Sequence, residues 1–337
     1  MIPVYEPIFN GNEKKYLQEC IDKGQVSSAG KFVKKFEEKF AKWANAQYAI
    51  ATSSGTSALE TALWASGISK GLVILPVSTI ISCVIAILRV GAKPLFKDID
   101  LETLNIKVPS LSHNPILSVN LFGHRVEHKT NALVIEDNSQ YWKKYSITHT
   151  AVYSLYANKL ITSGEGGIIV TNSKQVYDNA KSYIDLCHSK ERFIHDKIGY
   201  NFRMSNLQAA VGLAQLERID EFTEIKQRNL QFYKKYLPDK VKLKCDVPVP
   251  WMYLIETPYD NKKIRQKLWE KYEIDTRSFF YPLHKQPCFG NKYSKLSFPN
   301  ADYASKHWFY LPSGLTLKEW EIKYICQCLT EILNEHF

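Results

Sequence analysis

Between Tyr48 and Asn172 the sequence alternates short apolar runs with segments long enough for helices, and this alternation narrows the fold more than any other feature. Two parallel strands cannot be joined by a tight turn; the crossover needs a dozen or more residues, usually a helix. The pattern therefore predicts a mostly parallel sheet covered by helices, the α/β class. Seven strands are expected, at 49–52, 72–75, 94–96, 116–120, 133–135, 151–155 and 167–171, each rich in Val, Ile, Leu or aromatic residues and bounded by polar, Gly or Pro positions. Helices are expected at 56–65, 79–90 and 174–185, with amphipathic segments at 33–44 and 206–236. The last of these reads as one long helix spanning two domains. After Pro238 the register changes: a strand at 251–256, a helix at 261–272 and a final helix at 317–333 predict a smaller C-terminal α+β domain. The expected division is a large α/β domain over 1–236 and a small one over 237–337.

Composition removes several alternatives. A length of 337 residues suits two domains at roughly 150 residues each. With 45% hydrophobic and 23% charged residues, disordered and coiled-coil readings fall away. The longest apolar stretch, 79–88, is broken by Ser82 and ended by Arg89, which makes it a buried helix rather than a membrane span. Residues 1–10 lack the basic and apolar run of a secretory signal, so a cytoplasmic protein is expected. Seven scattered cysteines form no C-x-x-C pair and nine histidines form no H-E-x-x-H, so no metal is expected. The net charge of +10 favours anionic partners. Its lysine pairs are isolated along the chain, and none interleaves with aromatics as a nucleic-acid module would.

Residues 153–167 run from a strand through Lys159 into a Gly-rich turn and out into the next strand. Most lysines decorate surfaces. A lysine held in a partly desolvated pocket loses its proton more easily, becomes a nucleophile and can form a Schiff base with a carbonyl cofactor. Pyridoxal phosphate uses this chemistry, and it needs two further groups: a carboxylate for the pyridine nitrogen and a phosphate cradle at a helix start. The run Leu133-Val134-Ile135-Glu136-Asp137 is an apolar strand ending in acids, which places Asp137 at the carboxyl edge of the same sheet. Residues Ser53 to Leu59 read as a strand-to-helix turn of small hydroxyl residues around Ser54, Gly55 and Thr56. Taken singly, such a turn is often only a helix cap and such an acid only a turn residue. Their order around Lys159 is what carries the signal.

With these residues the chain resembles, across nearly its whole length, the DegT/DnrJ/EryC1/StrS family of sugar aminotransferases. The matching motifs are Ile2-Pro3-Val4 with Gly11-Asn12-Glu13, Ser27-Ser28-x-Gly30-Lys31, Ser54 through Leu59, Gly91-Ala92-x-Pro94 with Asp98-Ile99-Asp100, and Asn120 through Gly123. They continue with Glu136-Asp137-x-x-Gln140, Ser154 through Gly167, Gly199 through Met204 and Leu311 through Gly314. The resemblance implies the aspartate aminotransferase fold, fold type I of the enzymes dependent on pyridoxal 5'-phosphate (PLP). It implies that Lys159 binds the cofactor covalently, that Asp137 pairs with the pyridinium and that Gln140 meets the ring hydroxyl. Ser154, Gly55 and Thr56, with Ser54, would hold the phosphate. Asn201 would reach the phosphate of a neighbouring subunit's cofactor, making the active unit a homodimer. The other reading of Asn201 is a helix cap.

Two departures from the family pattern stand out. Where most relatives place an aromatic ring against the pyridine, this chain has Ile80, and where many have Trp it has Gln25. Relatives that remove a C3 hydroxyl carry His in place of the lysine, so Lys159 implies transamination. The family's two half-reactions pass through pyridoxamine 5'-phosphate, with L-glutamate as donor and a nucleotide-linked keto sugar as acceptor. Residues 276–287 most resemble the members that aminate C4 of UDP- or GDP-linked 4-keto-6-deoxyhexoses, and Ser27, Lys31, Arg277 and His284 lie in motifs expected near the sugar nucleotide. Amination at C3, an inositol substrate, and a non-catalytic PLP-binding regulator remain the alternatives at this point.

Overall fold

The computed structural model describes residues 1–335 apart from 127, 148 and 192. Its centre is one seven-stranded sheet built from β1 (Tyr48–Thr52), β2 (Leu72–Pro76), β3 (Lys93–Lys97), β4 (Ile116–Val119), β5 (Val134–Asp137), β6 (Thr150–Ser154) and β7 (Gly167–Thr171). All seven expected strands are present. Their spatial order is β1-β7-β6-β5-β4-β2-β3, and every pairing is parallel except the two made by β7. The exception has a local cause. No helix lies in residues 155–166, so the chain has no crossover there and β7 must return antiparallel to β6. Lys159 sits in that connection.

Alternation along each strand feeds two cores. Ile50, Leu117, Ile135, Val152 and Ile169 face helices α3 (Gly55–Ala65), α4 (Ile81–Arg89) and α5 (Lys174–Ile184). Ala49, Ala51, Ala151, Tyr153, Ile168 and Val170 face the opposite side, against α2 (Lys31–Trp43) and α6 (Asn206–Leu216), with α1 (Glu13–Asp22) beside α6. Burial on both faces is why these strands read as nearly continuous apolar runs.

The expected long helix over 206–236 is two. The backbone leaves helical geometry at Arg218 (φ −115°, ψ 12°), and α7 (Ile219–Tyr236) starts a new axis. Glu217 at this joint accepts hydrogen bonds from Asn12 Nδ2 (2.7 Å) and Tyr16 Oη (2.8 Å). The break lets α6 stay on α1 and α2 while α7 packs on α10 (Glu319–Asn334). Apolar periodicity continues through the joint, so nothing in the sequence pattern marks it.

A second, four-stranded antiparallel sheet follows, in the order β10-β11-β9-β8, from β8 (Lys242–Leu243), β9 (Tyr253–Glu256), β10 (Arg277–Ser278) and β11 (Trp308–Leu311). Helices α8 (Asn261–Tyr272), α9 (Pro299–His307) and α10 accompany it. Residues 2–6 lie along this part of the molecule: Ile2 bridges Ile274, Ser313 N–H donates to Val4 O (2.7 Å) and Leu315 N–H to Glu6 O (3.2 Å). Among the described residues no helix is long and apolar enough to cross a membrane, and no cluster of His, Cys, Asp or Glu could hold a metal ion.

Candidate active site

The carboxyl ends of the parallel strands open onto a cavity of about 320 Å³, the place where open α/β sheets receive ligands. Ser54, Gly55, Thr56, Ile80, Asp137, Gln140, Ser154 and Lys159 all line it.

The wall at β1 is a helix start. Ser54 caps α3: its Oγ accepts from Ser57 N–H (3.1 Å), while Ser57 Oγ accepts from Ser54 N–H (3.0 Å). The first turn of a helix leaves N–H groups without intrahelical partners, and here those of Gly55 and Thr56 stand at the cavity. Gly55 is required by crowding, because a Cβ at this position would lie 2.8 Å from Ser154 Cβ. Backbone and hydroxyl thus meet without an intervening side chain. Thr56 Oγ1 donates to Ser82 Oγ (2.9 Å), tying α3 to α4. Free N–H groups, a helix dipole and two serine hydroxyls make an anion cradle suited to a phosphate.

The floor comes from β5. Period-two alternation sends Glu136 and Asp137 to opposite faces. Glu136 is neutralised by Arg125 (3.0 Å) and also accepts from Asn120 Nδ2 (3.1 Å). Asp137 points into the cavity and is 1% exposed. Its Oδ1 accepts from Ser139 N–H (2.9 Å), and its Oδ2 faces Cys83 Sγ at 3.5 Å. Gln140 is pinned through Oε1, which accepts from Phe122 N–H (2.9 Å), and this leaves its amide nitrogen to donate.

Lys159 closes the arrangement. A turn, Lys159 N–H to Tyr156 O (2.9 Å), and a left-handed Gly164 (φ 80°) shape its loop. Loss of water around the amine pulls its pKa down to about 8, although the carboxylate of Asp137 favours the protonated form. The indole of Trp251 lies 4.5 Å from Nζ. Trp251 Nε1 donates to Asn158 O (2.9 Å) and Tyr5 Oη donates to Lys159 O (2.5 Å). The residues present therefore fit a phosphorylated carbonyl cofactor with a basic ring nitrogen: a nucleophilic amine, a buried acid and an anion cradle share one cavity.

Other expected site residues lie elsewhere. Ser27 and Lys31 flank a loop at the start of α6, where Ser27 O accepts from Asn206 N–H (3.1 Å), and Lys31 is paired with Glu19. Asn201 is exposed and bridges Asp185; the next residue, Phe202, accepts from Ser53 N–H (2.8 Å), so Asn201 stands beside the α3 cradle but outside its lining. Arg277 is exposed, is paired with Asp275 and lies in register with Tyr310, a lining residue. His284 is buried, packs edge-on against Phe298 (4.9 Å between centroids) and has no hydrogen-bond partner for either ring nitrogen among the described residues. It follows Leu283, whose N–H is bonded to Val77 O (2.8 Å), and this pins the segment under the end of β2. The lining also includes Trp251, Phe280 and Tyr310, which sequence reasoning did not single out.

The fold is that of solved aminotransferases. The chain matches Helicobacter pylori PseC, an aminotransferase involved in the biosynthesis of pseudoaminic acid, with a TM-score of 0.89 at 20% identity over 99% of both chains. It matches a DegT DnrJ EryC1 StrS aminotransferase from Brucella abortus with a TM-score of 0.85 at 22% identity over 95% of both. Fold and cavity thus define a PLP-dependent aminotransferase of fold type I. The chain belongs to the DegT/DnrJ/EryC1/StrS aminotransferase family, which it matches over residues 7–330. It is 38% identical to the GDP-perosamine synthase of Escherichia coli O157:H7 over 99% of both chains. It is 32% identical to the GDP-perosamine synthase of Vibrio cholerae over 99% of this chain and 100% of the other.

Proposed function

We propose that this aminotransferase moves the amino group of L-glutamate to C4 of a nucleoside-diphosphate 4-keto-6-deoxyhexose, giving a 4-amino-4,6-dideoxy sugar nucleotide. The observation that carries the reading is Lys159 and Asp137 lining one cavity, in a chain similar to GDP-perosamine synthases over nearly its whole length. The names of those relatives favour GDP over UDP as the carrier.

Bound PLP supplies a carbonyl that condenses with amines and a ring that accepts electron density from the substrate carbon. Lys159 holds that carbonyl through Nζ. The same Nζ, whose pKa burial lowers to about 8, would take a proton from the substrate carbon and return it. Asp137, whose orientation is fixed by the bond from Ser139 N–H, would face the ring nitrogen. The N–H groups of Gly55 and Thr56, with the hydroxyls of Ser54 and Ser154, would hold the phosphate; Gln140 would donate to the ring hydroxyl and Ile80 would cover one face of the ring.

Arg277 leaves the same face of its sheet as Tyr310 and faces the incoming diphosphate. Arg265 stands beside both; loss of water and the neighbouring Arg277 lower its pKa, and its Nε has no partner among the described residues. Two guanidiniums together suit an anion with several oxygens. The small domain, 237–337, carries this rim, and the large domain, 1–236, carries the cofactor, with residues 2–6 lying on the small domain.

Ser27, Lys31 and Asn201 lie outside the lining of their own chain's cavity, and we assign them to a homodimer in which each chain serves its partner's site. Mixing inactive Lys159→Ala and Asn201→Asp homodimers tests this, since exchange should create one composite site free of both lesions. Unchanged activity after verified exchange would overturn it. The substrate reading is tested by offering GDP-, UDP- and dTDP-linked 4-keto-6-deoxyhexoses and the free sugar, with glutamate as donor and NMR of the product. Amination at C4 of a nucleotide-linked sugar is expected. Amination at C3, or equal turnover of the free sugar, would refute it.

A further inference from the structure

Lys226, in the middle of α7, is fully buried and takes no part in the chemistry described above. Among the described residues no carboxylate pairs with it. Its Nζ donates to Trp251 O and to Ser313 O, each at 2.6 Å, and lies 5.3 Å from the rings of both Tyr5 and Tyr253. Its own carbonyl accepts from Tyr253 Oη (2.9 Å). Burying an amine without a counter-charge is costly, and here it pulls the pKa down to about 7. An apolar side chain would avoid that cost, so what the amine touches matters. Three segments distant in the chain converge on it: the amino-terminal segment through Tyr5, the lead into β9 through Trp251, and the exit from β11 through Ser313. Two of those partners also hold the reactive lysine. Trp251 places its ring by Lys159 Nζ and bonds Asn158 O, and Tyr5 bonds Lys159 O.

We propose that Lys226 is a positioning residue for Lys159: by clamping the carbonyls of Trp251 and Ser313, it sets the indole against the Lys159 amine and keeps Tyr5 on the Lys159 carbonyl. The clamp does not require a charge on Lys226, because a neutral amine still carries two N–H donors, one for each carbonyl. Removing the donors leaves two buried acceptors without partners and frees the Trp251 backbone to shift. The ring then recedes from the Lys159 amine, whose protonated form loses a favourable aromatic contact. This inference rests on Lys159 being the reacting lysine, but its main readout is made on the apoprotein and does not need turnover.

The test is Lys226→Met, with Tyr233→Phe as control. Tyr233 is on the same helix and donates to Pro312 O (2.8 Å), the carbonyl next to Ser313, so its loss costs a buried hydrogen bond without touching Trp251. Competitive acylation of the apoprotein, mapped by mass spectrometry across pH, reports the titration of Lys159 in each. A lost cation–π contact predicts a Lys159 midpoint about half to one pH unit lower in Lys226→Met, and an unmoved midpoint in Tyr233→Phe. In the holoenzyme kcat falls about ten- to a hundredfold through misplacement of the amine, with KM for both substrates nearly unchanged. Lys226→Arg, which keeps donors, restores part of the midpoint. Trp251→Leu combined with Lys226→Met gives less than the sum of the single effects, as expected when both act through the same contact. Should Lys226→Met fail to fold, Lys226→Gln, whose amide keeps two N–H donors on a shorter side chain, is read for a smaller shift in the same direction. A folded variant with the wild-type Lys159 midpoint, a shift equal to that of Tyr233→Phe, or additive effects with Trp251→Leu would overturn the proposal. A normal Lys159 titration shift with no labelling of Lys159 by reduced cofactor would instead count against Lys159 as the reacting residue.

Discussion

The two walls of the cavity are built on opposite plans. The cofactor wall, at the carboxyl edge of the large sheet, is polar and held by contacts a few residues apart: Ser54 with Ser57, Asp137 with Ser139, Ser154 with Tyr156. The facing wall is aromatic, with Trp251, Phe280 and Tyr310, and reaches the lysine loop through bonds between residues far apart in the chain. On the proposed function one wall carries the chemistry with groups whose geometry is set locally, while the other excludes water and shapes the space with a geometry that depends on the whole fold. Loss of Lys159 or Asp137 on the first wall should therefore act directly on rate, and crowding of its helix start on cofactor retention. Disruption of the second wall acts at a distance, through the placement of the lysine loop and the shape of the space.

The sharpest break is Lys159→Ala. Removing the base should lower turnover about 10²- to 10⁴-fold or more, and borohydride reduction of wild-type holoprotein should fix the cofactor to Lys159 in peptide maps. Label on another lysine would undo the comparison at its root. Asp137→Asn comes next, with a loss of about 10²- to 10³-fold in kcat and an unchanged fold by circular dichroism. It also carries a sign. Asp137 raises the Lys159 pKa against the stronger pull of burial, so its neutralisation should move the Lys159 acylation midpoint of the apoprotein from near 8 to lower pH. A midpoint moving upward would mean that the two groups do not share the cavity.

Gly55→Ala tests the local wall by crowding rather than chemistry. A methyl 2.8 Å from Ser154 Cβ forces the cradle apart at a cost of about 1–3 kcal/mol, which should weaken PLP retention in equilibrium dialysis and leave kcat at saturating cofactor much less affected. Equal losses in both would place the phosphate elsewhere. Ile80→Phe should produce the smallest effect, in the favourable direction. Ile80 is 46% exposed at the cavity mouth, so a ring has room, and an offset stack is worth about 0.5–1.5 kcal/mol. Cofactor dissociation that is not slowed would mean that another residue covers the ring.

The same contrast explains how much could be read from the sequence. The parallel sheet and its strand ends were legible because buried strands separated by helices leave a strong pattern, and the cradle, the acid and the lysine were legible because each is a short contiguous motif. The aromatic wall was not. Trp251, Phe280 and Tyr310 look like ordinary core residues until the second sheet is folded against the first. β11 was hidden for a related reason: α9 ends at His307 and the strand begins at Trp308, with no Gly or Pro between them to mark a boundary. The joint at Arg218 was hidden because apolar spacing runs through it undisturbed. Lys226 gave no signal at all, since a lone lysine in an amphipathic helix reads as a solvated residue.

Residues 2–6 carry a consequence for the time at which the enzyme comes into being. They leave the ribosome long before their partners, Ile274, Ser313 and Leu315, which follow much later in the chain. At about 5–20 residues per second, this segment waits many seconds for a surface to lie on. Tyr5 reaches the Lys159 carbonyl only from that position. The seven-stranded sheet, by contrast, is complete at Thr171 and can gather its helices while the rest is still being made. A nascent chain therefore forms the helix start at Ser54 and Gly55 before Tyr5 can be held on the Lys159 carbonyl, and that contact should follow the synthesis of Leu315 with a lag set by the closure of this long loop.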